Sequence, residues 1–321
     1  MNKMKKATLP YIIIEQLNKK QNGGKWPQRI EAIRKGGRII RIISNQYLVA
    51  DEDGRRVECV AMGKVRLQDK PRTGDWVEYT DFGDQTGIER ILPRKNSLIR
   101  PPVANVDQAL IVMSAKDPDF SCTLVDRILF LIVNASIQPV LCITKMDLVQ
   151  AQDPVYAWIE DYRRSGYEVV LSGREELDEN LAGVLKDKVT VLTGQSGVGK
   201  SSLLNKLNPA FQLQTQEISK ALGRGKHTTR HVELHEVAGG WVADTPGFSS
   251  LDFSRMTPTE LAQSVPDFAP YLGKCRFRDC IHQNEPGCAI KQAVEAQQVS
   301  RIRYADYLDC LTLVQGRKEK Y

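Results

Sequence analysis

Three short motifs stand in an unusual order along the chain, and that order constrains its fold more than any other feature. Thr144-Lys145-Met146-Asp147 comes first, a glycine-rich run over residues 194–201 follows, and Asp244-Thr245-Pro246-Gly247 comes last. In an ordinary domain that carries all three motifs, the glycine-rich loop leads and the Thr-Lys-x-Asp type of motif trails. The sequence therefore predicts a circularly permuted domain. Permutation leaves the geometry of the shared site unchanged and alters what each chain end is joined to.

Length and composition predict a globular protein with two or three domains. The chain has 321 residues, of which 41% are hydrophobic, enough to build packed cores. Its longest apolar runs, such as residues 109–113 and 128–133, are far shorter than the roughly 20 residues that span a membrane. No apolar stretch as long as the core of a signal peptide follows the basic residues 1–6, so no signal peptide and no membrane association are expected. The seven cysteines, an odd number, favour reduced thiols or metal binding in the cytoplasm.

The positive charge is concentrated in a basic N-terminal arm, residues 1–35. The arm holds nine Lys or Arg residues against two Glu, whereas the whole chain carries a net charge of +6. A basic arm on a nearly neutral body is typical of contact with a polyanion such as RNA. A solvated, disordered terminus is an equally good interpretation.

Residues 36–100 carry a pattern of short β-strands. Turn residues such as Asp53-Gly54 and Thr73-Gly74 punctuate them. The predicted strands are residues 38–43, 47–50, 57–60, 75–79 and 87–91. Five short strands predict a small β-barrel of the oligonucleotide-binding (OB) type, although an SH3-like barrel has a similar pattern. Pro101-Pro102 then marks a stiff linker.

Residues 101–252 alternate between strands and helices, which predicts a mostly parallel sheet with helices on both faces. The predicted strands are residues 107–113, 140–143, 168–171, 189–192 and 241–243, and the predicted helices are 124–134, 155–164, 176–185 and 201–207. Residues 253–321 form a third unit. It opens on a capping box, Thr257-Pro258-Thr259-Glu260, and ends in a helical stretch over residues 290–314.

The glycine-rich run fits the spacing of a phosphate-binding loop, with a predicted strand before it and a helix after it. Backbone N–H groups of such a loop and of the helix N-terminus surround phosphate groups. Lys200 is expected to neutralise the β- and γ-phosphates, and the Ser201 hydroxyl to bind Mg²⁺. The expected phosphate-binding residues are Gly194, Gln195, Ser196, Gly197, Val198, Gly199, Lys200, Ser201 and Ser202.

The other two motifs complete a guanine-nucleotide site. Asp244 is expected to hold the same Mg²⁺, and the Gly247 amide to contact the γ-phosphate. The Asp147 carboxylate can accept both N–H groups on the edge of guanine, and adenine would leave it unpaired, a loss of roughly 1–3 kcal/mol. Thr144 and Lys145 belong to the same motif, and Ser172-Gly173 could supply a backbone donor to the guanine oxygen.

A glycine-flanked loop at residues 223–230 is predicted to be a switch that the γ-phosphate orders. Thr229, or alternatively Thr228, would complete the Mg²⁺ shell. Phe248 occupies the position where Ras-like enzymes place a water-orienting glutamine. His227 is therefore the best catalytic candidate, because it lies in the predicted switch and titrates near neutral pH.

Three cysteines and one histidine lie within fourteen residues of the third unit. Their thiolates and imidazole suit tetrahedral Zn²⁺ with no open position, which indicates a structural and not a catalytic metal. The predicted zinc ligands are Cys275, Cys280, His282 and Cys288. Free buried cysteines beside a surface histidine are the alternative.

The combination of a β-barrel, a permuted domain with Gly-Arg-Gly-Lys-His-Thr-Thr-Arg and Asp-Thr-Pro-Gly-Phe, and a Cys-x4-Cys-x-His-x5-Cys cluster closely resembles the bacterial ribosome small subunit-dependent GTPase family, RsgA or YjeQ. The resemblance covers residues 36–315. It implies an OB-fold N-domain, GTP hydrolysis stimulated by the small ribosomal subunit, a role in late maturation of that subunit, and contact with its rRNA. His227 matches the family's switch histidine.

The expected function is therefore a GTPase whose hydrolysis, to GDP and phosphate, times its release from the small subunit, and a monomer is expected. One alternative is a nucleotide-gated RNA-binding protein in which hydrolysis is incidental. Another is a structural zinc protein with a decayed nucleotide site, against which the intact Lys200, Ser201, Asp244 and Asp147 argue.

Overall fold

The computed structural model describes residues 34–63, 65, 70–98, 101–174, 178–208, 232–243 and 252–316. The first five strands close into a barrel in the order β1-β2-β3-β5-β4, and β4 pairs with β1. Neighbouring strands are antiparallel except β3 and β5, which are parallel. The strands are β1 (Arg34–Ile43), β2 (Gln46–Asp51), β3 (Arg56–Ala61), β4 (Trp76–Asp81) and β5 (Thr86–Ile91). This closed five-stranded barrel fits the predicted OB type.

A β-bulge in β1 gives the barrel a second apolar face. Ile39 pairs with Val49 and Arg41 with Leu48, so Ile40 is the extra residue between two paired ones. Ile39 packs inside the barrel with other buried side chains such as Val49. Ile40, only 1% exposed, belongs to the apolar cluster of the central domain. The bulge therefore turns one isoleucine outward and joins the barrel to its neighbour.

A six-stranded sheet forms the central domain, in the order β10-β11-β9-β6-β7-β8. All neighbouring pairs are parallel except the edge pair β10 and β11. The strands are β6 (Gln108–Ser114), β7 (Gln138–Thr144), β8 (Glu168–Leu171), β9 (Val189–Thr193), β10 (Leu234–Val237) and β11 (Gly240–Ala243). The mostly parallel sheet that the alternating pattern predicted is confirmed.

Helices cover both faces of this sheet. Alternate residues of β6 divide between two apolar clusters, with Ile111 in one and Leu110 in the other, because successive strand side chains point to opposite faces. The helices of the domain are α1 (Cys122–Asn134), α2 (Val155–Arg164), α3 (Leu181–Leu185) and α4 (Lys200–Leu207). Residues 176–177 of the helix predicted over 176–185 lie outside the described residues, and the described part is helical from Leu181. Before it, the Asp178 carboxylate accepts a hydrogen bond from the backbone N–H of Asn180 at 2.9 Å and shapes a turn.

The C-terminal unit is helical, as predicted. Its helices are α5 (Pro258–Gln263), α6 (Ala289–Glu295) and α7 (Arg301–Gln315), and short 3-10 helices cover Phe253–Arg255 and Pro266–Phe268. The capping box at Thr257 and Glu260 is present. The stretch predicted over 290–314 is two helices, because Gln297 adopts a left-handed φ of 60° and Ser300 caps a new helix through the N–H of Arg303. None of the described helices is long and apolar enough to cross a membrane.

Candidate functional site: a nucleotide cradle and a Cys3His cluster

The glycine-rich loop connects the end of β9 to the start of α4, as the sequence predicted. Gly194 has a φ of +138°, and a Cβ atom there would lie 2.0 Å from the Val112 carbonyl oxygen, so only glycine fits. Gly197 and Gly199 also have positive φ values, +81° and +90°. Three such glycines bend the backbone tightly, and the loop ends at the N-terminus of α4, where free N–H groups attract anions.

The Lys200 side chain points back over this loop. Its Nζ atom lies 2.9 Å from the Gly194 carbonyl oxygen and 2.5 Å from that of Gln195. An ammonium group held within a loop of this kind supplies a positive charge to an anion that the loop surrounds. The geometry suits a phosphate chain.

The Thr-Lys-x-Asp motif lies beside the loop because β7 and β9 end at the same edge of the parallel sheet. The Thr144 Oγ1 atom lies 2.5 Å from the Val198 carbonyl oxygen and 3.2 Å from that of Met113. Thr144 is 5% exposed. Two motifs separated by 54 residues of chain are thus in direct contact through one buried hydroxyl group.

Asp147 lies in a 3-10 turn, Met146–Leu148, immediately after β7. The Met146 N–H donates to the Ser172 carbonyl oxygen at 3.2 Å, and the Ser172 N–H donates to the Ile143 carbonyl oxygen at 2.8 Å. A Cβ atom on Gly173 would lie 3.5 Å from Oδ1 of Asp147. The structure therefore brings together the residues that the sequence proposed for the base, although they lie in two separate segments.

Asp117 is one residue near the cradle that the sequence reasoning missed. Its carbonyl oxygen accepts a hydrogen bond from Nζ of Lys145, which has a left-handed φ of 58°. Pro118, the next residue, lies 4.0 Å from the position of a Cβ on Gly197. The strand order could have identified this residue, because Asp117 and Pro118 follow β6, which lies between β7 and β9, the two strands that lead into the site.

The remaining residues that the sequence assigned to this site lie outside the described residues: His227, Thr228, Thr229, Asp244, Gly247 and Phe248. The strands on either side of them are described. Leu234 of β10 pairs with Ala243, the last residue of β11, and Ala243 pairs with Val191 of β9. The strand that precedes Asp244 is therefore the direct neighbour of the strand that leads into the glycine-rich loop.

The four predicted metal ligands form a compact cluster in the C-terminal unit. The ligand atoms of Cys275, Cys280, His282 and Cys288 all lie within 4.8 Å of one another. Nδ1 of His282 lies 3.4–3.5 Å from each sulfur, and the sulfurs of Cys275 and Cys288 are 3.9 Å apart. A tetrahedral zinc ion with bonds of about 2.3 Å to sulfur and about 2.0 Å to nitrogen places its ligand atoms about 3.5–3.8 Å apart. The cluster is compatible with such an ion.

Hydrogen bonds and charge also favour a cation at this cluster. Backbone N–H groups of Ala289 and Lys291 donate to the sulfurs of Cys275 and Cys288, at 3.4 and 3.5 Å, which favours thiolates. Burial lowers the pKa of His282, so its imidazole is neutral and free to bind a metal. Burial raises the pKa of the Cys288 thiol, so charged thiolates here need a positive partner.

Helix α7 contacts the loop that carries the Cys3His cluster. The hydroxyl groups of Tyr304 and Tyr307 donate to the backbone carbonyl oxygens of His282 and Ile281. The Phe268 ring packs edge-on against the His282 imidazole, with centroids 5.9 Å apart. The other four thiols lie in apolar surroundings: Cys59, Cys142 and Cys310 are buried and Cys122 is half-buried, and burial raises the pKa of each to about 12. They are packing residues and not nucleophiles.

Comparisons with known proteins agree with this geometry. A family model described as RsgA GTPase matches residues 91–254. A curated protein of Bacillus subtilis, "Small ribosomal subunit biogenesis GTPase RsgA", is 47% identical over 296 residues, which is 89% of this chain and 99% of the relative. A protein of the same name from Geobacillus thermodenitrificans is 47% identical over 292 residues, with the same coverage.

Two solved structures have the same fold. A crystal structure described as YloQ, a circularly permuted GTPase, superposes with a TM-score of 0.78 at 40% identity and covers 93% of this chain and 100% of that one. YjeQ from Thermotoga maritima gives a TM-score of 0.78 at 36% identity, over 89% and 100% of the two chains. The circular permutation predicted from the motif order is confirmed, and so is the resemblance to this family.

Proposed function

The chain belongs to the RsgA GTPase family, and on that basis we propose that it hydrolyses GTP in the biogenesis of the small ribosomal subunit. The observation that carries the proposal is the 2.5 Å contact between Thr144 and Val198, which joins the base-reading motif to the phosphate loop in one site. The names of the relatives favour an enzyme over a nucleotide-gated RNA-binding protein whose hydrolysis is incidental.

The phosphate end of GTP is bound by the loop from Gly194 to Ser202. Backbone N–H groups of the loop and of the start of α4 surround the phosphates, and Nζ of Lys200 exchanges its carbonyl partners for phosphate oxygens. Mg²⁺ neutralises the phosphate charge, and Ser201, Asp244 and Thr229, or Thr228 in its place, would hold it. Gly247 contacts the γ-phosphate.

The guanine end is bound by Asp147, Lys145 and the Ser172-Gly173 segment. Asp147 accepts the two N–H groups on the guanine edge, and Lys145 lies along the plane of the base. The close approach of Gly173 to the Asp147 carboxylate supports a shared binding surface for the base.

His227 orients or deprotonates the attacking water. The chain offers a histidine in the predicted switch and a phenylalanine after Asp-Thr-Pro-Gly, and an imidazole can accept a proton near neutral pH whereas a phenyl ring cannot. The small ribosomal subunit stimulates this step, and hydrolysis times release of the protein from the subunit.

The Cys3His cluster holds one structural zinc ion. Three thiolates and one imidazole would fill all four positions of a tetrahedral ion, so the zinc would stabilise the fold of the C-terminal unit and would have no position for a reactive water. The protein acts as a monomer in the cytoplasm, where ribosomal subunits assemble, and its barrel and basic arm contact rRNA of the small subunit. The charge of that arm supports the contact.

The test is steady-state hydrolysis of GTP, with ATP as the control, in the absence and presence of purified small ribosomal subunits. We expect the small subunits to stimulate hydrolysis of GTP and not hydrolysis of ATP. Asp147→Asn should shift the preference from GTP to xanthosine triphosphate, because an amide can donate to the xanthine oxygen that replaces the guanine amino group. His227→Ala should abolish stimulated hydrolysis with GTP affinity retained. Equal hydrolysis of ATP, or no response to subunits, would contradict the proposal.

A further inference from the structure

The barrel contacts the edge of the central sheet at one short segment, Val232-Glu233, just before β10. Oγ1 of Thr73 donates to the Val232 carbonyl oxygen at 3.0 Å, although 159 residues of chain separate the two. Arg41 of β1 forms an isolated antiparallel bridge with Glu233, and its guanidinium lies 3.6 Å from the Glu233 carboxylate. A side-chain hydrogen bond, a β-bridge and an ion pair thus converge on two consecutive residues.

The barrel side of this contact is held rigidly. The Thr73 carbonyl oxygen accepts from the Ala104 N–H at 2.8 Å, and Nδ2 of Asn105 donates to the Gly74 carbonyl oxygen at 3.0 Å. Gly74 approaches the linker so closely that a Cβ atom on it would lie 2.1 Å from the Ala104 carbonyl oxygen. Asp75, fully buried, receives two hydrogen bonds from the Arg94 guanidinium, at 2.6 and 2.8 Å. Thr73 therefore has little freedom to follow a displaced Val232.

Apolar packing reinforces the contact. Ile40, which the bulge in β1 turns out of the barrel, belongs to the same buried cluster as Leu234 and Ala243. Leu234 directly follows the anchored segment and pairs with Ala243. The outward-facing Ile40 and the β10–β11 hairpin therefore belong to one apolar cluster, which couples the barrel to the hairpin.

The position of the anchored segment matters for the reaction. Because Leu234 pairs with Ala243, the segment lies at the end of the hairpin where β11 leads into Asp244. Along the chain, Val232 follows Thr229 by three residues and His227 by five. The barrel thus fixes the hairpin at the end that follows His227 and Thr229 along the chain and precedes Asp244, the residues proposed for catalysis and for Mg²⁺ binding.

We infer that Thr73, supported by Arg41, is a positioning residue for GTP hydrolysis, which it serves by fixing the Val232-Glu233 end of the β10–β11 hairpin. The inference rests on the proposed function, since it assigns the hydrolytic groups to the segments on either side of that hairpin. The phosphate loop and the base motif follow β9 and β7, which are inner strands of the sheet, whereas the anchored segment precedes the edge strand β10. Loss of the anchor should therefore slow hydrolysis and leave nucleotide affinity unchanged, because a small displacement of reacting groups lowers a rate steeply.

The experiment compares Thr73→Val with Thr73→Ser and with a matched control, Thr80→Val. Valine removes the hydroxyl donor and keeps the shape, whereas serine keeps the donor. Thr80 lies in the same barrel, is 2% exposed like Thr73, and its hydroxyl has no hydrogen-bond partner among the described residues. Single-turnover GTP hydrolysis without subunits, the dissociation constant of a fluorescent GTP analogue and the melting temperature are measured for each full-length variant.

We expect Thr73→Val to lower the single-turnover rate about five-fold, equivalent to the roughly 1 kcal/mol of one hydrogen bond, with the dissociation constant unchanged. Thr73→Ser should restore the rate, and Thr80→Val should match the wild type. Arg41→Ala, at a half-exposed position that does not threaten folding, should lower the rate by a smaller factor without lowering the melting temperature. Its result decides the matter if Thr73→Val unfolds.

A rate for Thr73→Val equal to that of Thr80→Val would overturn the inference. A loss in Thr73→Val that serine does not restore, or that is accompanied by weaker GTP binding, would also overturn it and indicate a purely structural residue. Stimulation of the wild type by small subunits is measured separately. A wild type that hydrolyses GTP without responding to subunits contradicts the proposed function and leaves the comparison of Thr73 variants intact.

Discussion

One buried arginine should account for much of the attachment of the C-terminal unit to the central domain. Arg303 of α7 is 1% exposed and contacts Asp126 of α1, Asp161 of α2 and Asp267 of the C-terminal unit. Its guanidinium carbon lies 4.5 Å from the centroid of the Tyr162 ring, and Tyr167 flanks it at 5.0 Å. We predict that Arg303→Met, which keeps the aliphatic part of the side chain and removes the charged guanidinium, destabilises the protein strongly.

The magnitude follows from what the substitution leaves behind. The side chains of Asp126 and Asp267 are 1% and 3% exposed, so neither carboxylate can recover its hydration once Arg303 is gone. Removal of one partner from a buried ion pair costs about 3–5 kcal/mol. At about 2–4 °C per kcal/mol for a cooperative unit of 150–250 residues, the melting temperature should fall by about 6–20 °C. The fall in melting temperature should be smaller at pH 5 than at pH 8, because at pH 5 Asp126 is protonated and the loss of Arg303 leaves no unpaired charge on it.

Differential scanning calorimetry at both pH values measures this effect. The matched control is Arg301→Met, two positions earlier on the same helix, where the side chain is exposed. The control should stay within about 0.5 kcal/mol of the wild type, as surface substitutions usually do. If Arg303→Met and Arg301→Met melt within 2 °C of each other, roughly 1 kcal/mol or less, the reasoning from buried charge is refuted.

Three further predictions test the cradle, the buried carboxyl and the metal cluster. Gly194→Ala should weaken binding of a fluorescent GDP analogue more than ten-fold, the equivalent of about 1.4 kcal/mol, because its Cβ would overlap the Val112 carbonyl oxygen. The control is Gly183→Ala, whose Cβ meets no atom within 4 Å and which should bind the analogue normally. Burial raises the pKa of Asp126 to about 7, so the folded protein holds this proton more tightly than the unfolded chain does. Urea unfolding should therefore show that the free energy of unfolding of the wild type falls from pH 5 to pH 8, and that it falls less in Asp126→Asn. Equal declines in the two proteins would contradict this prediction. Metal analysis should find one zinc ion per chain in the wild type and in Cys310→Ser and none in Cys288→Ser, and equal zinc in all three proteins would contradict the proposed ligand set.

The sequence was enough to predict the main architecture because its signals are local. The strands of the barrel and the sheet are marked by apolar runs and turn residues, and parallel strands place their carboxyl ends at one edge. That rule alone brings Thr144 close to the glycine-rich loop, as the contact with Val198 shows. The four predicted metal ligands lie within fourteen residues of the chain, so their proximity could be predicted without knowledge of the fold.

Contacts between distant segments left no such signal. The buried positions of α7 follow helical spacing from Arg303 through Asp306, Tyr307, Cys310 and Leu311 to Val314. Arg303 and Asp306 are charged, so a search for an apolar helix face recognises only the residues from Tyr307 onward. It misses the two charged residues at the start of the buried face. Their partners, Asp126 and Asp161, look like ordinary surface charges on helices until the helices are packed together. Thr73 and Val232 likewise carry no mark in the sequence of their contact.

The two attachments of the central domain differ in their physics, and the permutation explains why each is needed. The circular permutation gives the central domain new chain ends. The barrel is therefore connected to the start of β6, and the C-terminal unit follows β11. Besides the Arg41–Glu233 ion pair, the barrel docks through backbone bridges, the Thr73 hydroxyl and the apolar side chain of Ile40, and these three contacts contain no titratable group. The C-terminal unit docks through Arg303 and buried carboxylates, whose strength depends on protonation but little on salt, since buried pairs are poorly screened. Because Asp126 titrates near neutrality and Thr73 does not titrate, a rise in pH should loosen the C-terminal unit while the barrel keeps its hold on β10.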